Sequence, residues 1–452
     1  MNPNILFLSI DSLRSDRCFG DEKTTLTPNM DSLIQKGTYF SQMISTADQT
    51  GTSLTSLFIG IFPIKSGKTQ FNFSSDITTY FDLLKQNGYF TSCFVPDHAF
   101  FQEFSSKFDD KTIYDFKKTE SWLRLDGGLG EQIANQLKSN KMKSPWIYFV
   151  HLMDIRPPFP VPEGFEDEKF GKTNYDKLVS SLDVWIGNFL KEVNLENTLV
   201  IITSDHGEYI PVTGEHISEI PKVQNLIKKG TKSAPFLEKA GMKFLINLRF
   251  AAQTYRKETL KRTLSPFEMR SFNTRATLDL YDEIIRVPLI ISGCGIDNHK
   301  IISDMTRHVD VFPTLFEILG FSNFSNIDGR SLLPLIKGEK LEEEPAYIEV
   351  GINLAQLIEK NKPNAQAKVI GIRTSSYKYY RYRDKPDEHV HLFDLKNDPL
   401  ELENIADSNK DMVKKMEEIL QNFMTDSNNT FDELTEEEIK NAKETLLKLG
   451  YI

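Results

Sequence analysis

The sequence predicts an α/β protein: a largely parallel central sheet flanked by helices, plus a smaller C-terminal α+β subdomain with an antiparallel sheet. Three observations predict it. Short continuous apolar runs recur along the chain, as strands covered on both faces require. Helix-period segments lie between most of them, the alternation that generates parallel sheets. From about Pro345 the pattern changes to closely spaced strand-like runs, as in an antiparallel meander.

The elements follow in order. "NILFLSID" opens the chain as a buried central strand. "TPNMDSLIQKG" reads as a helix with Thr27 as N-cap, Pro28 as first helical residue and Gly37 as stop. "TADQTGTSLTSLFIG", Thr46 to Gly60, sets Ser and Thr hydroxyls ahead of an apolar helical stretch. Such hydroxyls commonly start helices by accepting from orphan N–H groups, so a nucleophile among them needs further support. Strands are expected at Phe90–Val95, Trp146–Asp154, Asn197–Asp205 and Arg286–Gly293, with helices over "DITTYFDLLKQNG" and "YDKLVSSLDVWIGNFLKEV". In the C-terminal part, "AYIEVG", "VIGIRTSSYKYYRYRD" and "EHVHLFDL" read as antiparallel strands, followed by a long charged helix and a last helix opened by "LTEEE". The expected domains are 1–344, carrying an insertion at 221–280, and 345–452.

Composition narrows the function. The 452 residues carry a formal net charge of −10, which argues against general nucleic-acid binding. Cys18, Cys93 and Cys294 are scattered and odd in number, favouring a reducing compartment over a disulfide framework. The N-terminal apolar run is too short for a signal peptide or a membrane span, so the expected location is cytoplasmic. Against the acidic background, Pro221 to Leu280 holds thirteen Lys/Arg and four acids. That segment is either a solvated helical insertion or a cap or docking surface for an anionic lipid or polymer. "GIFPIKSGKT" ends like a nucleotide loop, but six residues separate Gly60 from Gly67, too many for a phosphate-cradling loop, and no apolar strand leads into it.

In open α/β sheets ligands bind at the carboxyl ends of strands. Asp11, His98 and the Asp205–His206 pair all follow apolar runs there. "ITSDHGE" is the strongest local signal: carboxylate oxygen and imidazole nitrogen together suit a borderline divalent cation. The competing reading makes Asp205 a turn-former and His206 a surface residue.

With these motifs in hand, the chain resembles the sulfatases of the alkaline phosphatase superfamily over nearly its whole length. The likeness rests on "NILFLSIDSLRSDRCFG", "TPNMDSLIQKGTYFSQMIS", "TSLFIG-IFP", "NGYFTSCFVPDH", "VHLMDIRPPF", "ITSDHGE…TGEH", "LYDEIIRVPLII", "HVDVFPTLFEILG…DGRSLLPLIKG" and "LFDLKNDPLELENIA", in that order. It implies an alkaline-phosphatase-like core and a metal-dependent hydrolase, or transferase, acting on phosphate or sulfate esters. In that family a Cys-x-Pro-Ser-Arg motif supplies formylglycine. Counting ten residues back from Gly60 places Thr50 at the Cys, Thr52 at the Pro and Leu54 at the Arg. The resemblance therefore implies no formylglycine at this position and Thr50 as nucleophile, as in relatives that transfer phosphoester groups. Thr52 and Ser53 read as helix-start residues.

A Thr hydroxyl becomes a nucleophile when a divalent cation lowers its pKa. Asp11, Thr50, Asp205 and His206 are the expected ligands of one such ion (Mn, Mg, Ca or Zn). His98 matches the family's anion-binding His, with Pro96 in place of the accompanying Lys; it would bind the anion, protonate the leaving group, or simply cap or pack. Arg156 replaces the family's second His, and its guanidinium would grip the anion. Arg14, His151 and His216 are the remaining substrate-binding candidates, with ion pairing for Arg14 and strand packing for His151 as the alternatives. The expected partner is an anionic ester substrate. The competing function is a catalytically inactive sulfatase-like protein that binds an anionic ligand.

Overall fold

The computed structural model describes residues 2–69, 73–115, 125–139, 141–157, 159–212, 258–272, 278–296, 299–321, 326–351 and 368–425. Among them, nine strands form the central sheet: β1 Asn4–Ile10, β2 Thr38–Ile44, β3 Phe90–Pro96, β4 Asp110–Tyr114, β5 Trp146–Leu152, β6 Thr198–Thr203, β7 Arg286–Ser292, β8 Lys300–Ile302 and β9 Thr306–Arg307. Their spatial order is β4-β3-β5-β1-β6-β7-β2-β8, with β9 beside β2. The expected mostly parallel sheet is present, since every pairing outside β7 is parallel. β7 runs against both β6 and β2. The reason is where the chain re-enters. Gly207 N donates to Ile284 O (2.6 Å) and Ser45 N to Ile285 O (2.7 Å), so β7 starts at the rim where the parallel strands end.

The central strands β1, β5 and β6 are buried at every residue, as their unbroken apolar runs require. β2 and β4 were not among the expected strands. "TYFSQMI" is interrupted by polar residues, and the edge strand "DKTIY" exposes three of its five positions.

The helices agree in place and differ in how they are capped. α1 spans Pro28–Lys36 between Thr27 and Gly37, yet the Thr27 side chain makes no capping bond. The cap comes from elsewhere in the chain: the Asp183 carboxylate accepts from Asn29 N (2.9 Å) and Met30 N (2.8 Å). Asp183 lies on the expected long helix, Asn174–Lys191, whose own start carries a Thr173–Asp176 capping box. α2 spans Thr50–Ile59 and stops at Gly60, whose φ of +69° is the left-handed conformation that glycine adopts freely.

α2 packs on the sheet through Phe58. Its ring stacks on Phe104 at 4.5 Å and meets Phe81 and Phe149 edge-on at 5.2 and 5.3 Å. This aromatic cluster anchors the helix that carries Thr50.

A second sheet, β10 Ala346–Glu349, β11 Val369–Arg373, β12 Tyr377–Tyr382 and β13 His391–Asp394, is wholly antiparallel, as expected. The charged helix Lys410–Thr425 covers it with Met416 and Leu420, and Arg381 clamps Glu417 through two contacts of 2.9 and 2.7 Å. Met1–Glu208 with Leu278–Ile452 make one compact unit, and Tyr209–Thr277 a second. In the second, Ser265 and Glu268 form a capping box on the short helix Pro266–Arg270. Residues 221–257 and 273–277 of the basic insertion, and the helix expected from "LTEEE", lie outside the described residues. Among the described residues no helix is long and apolar enough to cross a membrane.

Truncating Phe58 to Ala should cost about 3–5 kcal/mol. Urea unfolding would show the midpoint falling while the native far-UV spectrum stays unchanged. An unmoved midpoint would mean the cluster does not anchor α2.

Candidate active site

β5, β1 and β6 are adjacent and parallel, so their carboxyl ends bring three chain segments to one rim. Asp11 follows β1, Asp205 and His206 follow β6, and His151 closes β5. All four are 0% exposed. The amino end of α2 delivers Thr50 to the same point. Thr50 Oγ1 lies 3.4 Å from Asp11 Oδ2 and 3.5 Å from His206 Nε2. Arg156, past the end of β5, puts Nη1 3.5 Å from Asp11 Oδ2 and remains 21% exposed.

Local backbone geometry holds the carboxylates. Ser12 adopts φ +69°, a left-handed conformation uncommon for a side-chain-bearing residue. In return its N–H reaches Asp205 Oδ1 (3.2 Å) and its hydroxyl donates to Asp11 Oδ1 (2.7 Å). His206 N also donates to Asp205 Oδ1, at 2.9 Å. Gly207 is required by close approach: a Cβ there would sit 2.0 Å from the Glu283 carbonyl oxygen. Behind the site, Ser53 Oγ donates to Asp205 O and faces His308 Nδ1 at 3.1 Å.

The group fits a cation. Asp11, His151 and Asp205 offer ligand atoms all within 4.8 Å of one another. Asp205 Oδ2 and His151 Nε2 are buried without a hydrogen-bond partner. His206 Nδ1 is 2.9 Å from the Gly207 carbonyl, which only accepts, so the ring proton sits on Nδ1 and Nε2 presents its lone pair inward. Two buried carboxylates beside inward-facing imidazole lone pairs are the donor chemistry that a bound cation satisfies. Asp11, Thr50, Asp205, His206 and His151 are the residues that would hold a divalent ion.

The other expected site residues have partners of their own. His98 is the N-cap of the helix Ala99–Ser105, with Nδ1 accepting from Phe100 N at 3.4 Å. Arg14 is buried and bonds Asp16 (2.8 Å), Glu283 (3.2 Å) and the Glu208 carbonyl (3.3 Å). Burial opposes its charge, but those two carboxylates outweigh it and hold the guanidinium firmly protonated. Its role in the fold is to tie the loop after β1 to the segment before β7. His151 was expected to touch substrate; it lies beneath the surface, its Nε2 3.8 Å from Asp11 Oδ2 and its Nδ1 3.0 Å from Ser9 Oγ. His216 lies outside the described residues. Thr52 and Ser53 are buried inside α2, where they face the protein rather than an incoming ligand. His308 and Ser12 were not anticipated. His308 follows a two-residue strand and Ser12 is the second member of an ordinary Asp–Ser pair, and neither carries a local signal.

Comparison with known proteins follows the same outline. A family profile described as Sulfatase matches residues 3–321, and one described as N-sulphoglucosamine sulphohydrolase, C-terminal, matches residues 268–428. Arylsulfatase K of Gallus gallus is 23% identical over 465 aligned positions, covering 93% of this chain and 82% of that protein. The phosphonate monoester hydrolase of Agrobacterium radiobacter superimposes with a TM-score of 0.66 at 18% identity, over 96% of this chain and 98% of that one. A structure described as bound to its substrate D-glucosamine-2-N,6-O-disulfate gives 0.65 at 17% identity, over 98% and 99% of the two chains.

His308 makes a pH prediction. Burial pushes its pKa from 6.5 down to about 4, so the folded chain refuses a proton that the unfolded chain accepts. The stability present above 6.5 is lost as the pH falls through that window to about 4. His308→Asn should flatten the decline of melting temperature across the window; an equally steep decline in the variant refutes the assignment.

Proposed function

This chain belongs to the sulfatase family, and from that membership we propose that it hydrolyses sulfate or phosphate esters with Thr50 as a metal-activated nucleophile in place of formylglycine. The observation that carries the reading is the position of Thr50 Oγ1, 3.4 Å from Asp11 Oδ2 and 3.5 Å from His206 Nε2, on the first turn of α2. A divalent cation bound there would lower the pKa of that hydroxyl and withdraw charge from a non-bridging oxygen of the substrate.

The chain's own residues do the rest. Thr50 and Arg156 are the partly exposed members of an otherwise buried cluster, so substrate reaches the site from their side. The Arg156 guanidinium pairs with two oxygens of the tetrahedral anion. The first turn of α2 turns its N–H groups and positive dipole end toward that anion. Asp11 and Asp205 keep their geometry through Ser12, so little reorganisation accompanies binding. The Thr50 hydroxyl gives its proton to solvent, and Oγ1 forms a bond to phosphorus or sulfur. The ester bond breaks, and the departing alkoxide takes up a proton. Water then displaces Oγ1, releasing inorganic anion and restoring the threonine.

The retained cluster of donors speaks against the inactive-binder alternative, because a protein that only docks an anion has no need of two buried carboxylates beside the entry. The anion would be recognised by Arg156 and the helix end, whichever of sulfate or phosphate it carries.

Thr50→Ala should lower turnover of p-nitrophenyl phosphate and p-nitrophenyl sulfate at least about a thousand-fold while metal content persists. Chelation of the wild type should abolish activity, and adding back Mn, Mg, Ca or Zn should restore it. Full turnover by the alanine variant would remove Thr50 from the reaction.

A further inference from the structure

The four-stranded sheet carries a second group of metal-type donors that the reaction above leaves unused. His389 and His391 are two residues apart, His391 opening β13 and His389 just ahead of it. His389 Nε2 lies 3.1 Å from the Leu278 carbonyl oxygen. A carbonyl only accepts, so the ring proton is on Nε2 and Nδ1 presents a lone pair. That lone pair faces His391 Nε2 at 3.4 Å. The carboxylate of Asp279 joins them, with the three ligand atoms within 4.8 Å of one another.

Several features hold this arrangement. Tyr382 stacks on His389 at 4.7 Å and Tyr380 on His391 at 4.6 Å, fixing both ring planes. The Tyr380 hydroxyl reaches Asp279 Oδ1 at 3.5 Å. His389 itself is held at φ +55°, a strained conformation of the kind that persists where the surroundings require it.

We propose that Asp279, His389 and His391 form a second divalent-metal site, separate from the one at Asp11 and Asp205, for a borderline cation of the zinc class. Two imidazole nitrogens each about 2.0–2.1 Å from a tetrahedral zinc stand about 3.3–3.4 Å apart, the separation found here. A donor set of two nitrogens and one carboxylate suits zinc, cobalt or nickel, whereas calcium and magnesium take oxygen-rich shells. The His389–Leu278 bond is the outer contact that orients a ligating histidine. All three groups are half-buried, leaving room for water as the fourth ligand.

The rival arrangement is a chain of hydrogen bonds without metal. Asn404 Oδ1 accepts from Leu392 N and Ala406 N, so its Nδ2 faces His391 Nδ1 at 3.4 Å. The chain then runs from Asn404 through His391 and His389 to Leu278. Metal binding moves the His391 proton from Nε2 to Nδ1 and gives up that one long contact with Asn404.

The site has a mechanical consequence. Asp279 begins a strap in which Asp282 pairs with Lys378 (2.6 Å) and Arg373 (3.1 Å), and Glu283 with Arg14 (3.2 Å). A cation at Asp279 fastens the far end of this strap to β13.

The experiment is zinc stoichiometry on the chelator-stripped full-length chain, by calorimetric titration with zinc chloride and elemental analysis after dialysis at neutral pH. An Asp11→Asn/Asp205→Asn variant should still bind one zinc, and adding His389→Ala/His391→Ala should remove it. In the wild-type background the two histidine substitutions should lower stoichiometry by one while ester turnover is kept. Asp279→Asn, which preserves size, should weaken the site at least about ten-fold. The proposal is overturned if the Asp11→Asn/Asp205→Asn variant binds no zinc, or if the His389→Ala/His391→Ala variant binds as many equivalents as the wild type.

Discussion

Two carboxylates buried side by side are the constraint on which the rest of this structure depends. Asp11 and Asp205 sit at zero exposure at the ends of neighbouring strands, and the guanidinium of Arg156 approaches one of them at 3.5 Å. Burying like charges side by side is unfavourable unless hydrogen bonds and a cation compensate. The surrounding chain supplies the hydrogen bonds through Ser12 and the His206 amide, and it presents imidazole nitrogens where the cation would complete the shell. The left-handed backbone at Ser12 is a local cost of this arrangement, and the glycine at 207 admits the Glu283 carbonyl beside the same rim.

The layering explains how an ordinary helix start becomes a reactive one. α2 is pinned by aromatic packing at Phe58, eight residues along from Thr50. It is also tied at its base, where Ser45 and Ser53 both donate to the Asp205 carbonyl. These contacts set the direction of the helix end and hence the position of the Thr50 hydroxyl. Hydroxyls further along are spent inside the helix, with Thr55 and Ser56 donating back to the carbonyls of Gly51 and Thr52. The antiparallel β7 contributes at the same rim, since its approach carries Glu283 to Arg14 and steadies the loop that bears Asp11. Through Asp282 the same approach is joined to the second sheet by Lys378, which is itself paired with Glu401 at 2.6 Å.

Legibility followed the physics of each element. β1, β3, β5, β6 and β7 were visible because a strand covered on both faces leaves an unbroken apolar run. β2 and β4 were hidden because polar residues interrupt them. The direction of β7 was hidden for another reason: apolar patterning has no polarity. Thr27 had the residue type of a cap and its position, but a carboxylate remote in sequence, Asp183, does the capping. Among functional groups, Asp11, Asp205 and His206 were marked by their place after apolar runs, and Thr50, His151 and Arg156 by the family resemblance. The structure brings these six together. It gives Arg14 and His98 an ion-pair and a capping partner, alternatives that the residue types already allowed.

What the sequence determined by itself is local: which stretches are buried strands, where helices begin and end, and which residues offer ligand chemistry. Each depends on neighbours within a few residues, where hydrophobic periodicity and turn chemistry act. Only the tertiary structure decided that β5, β1 and β6 lie side by side, that His308 supports Ser53, and that Asp279 meets His389 and His391. Those meetings join residues more than a hundred positions apart, and they are set by strand order and packing of the whole sheet, which no local pattern encodes.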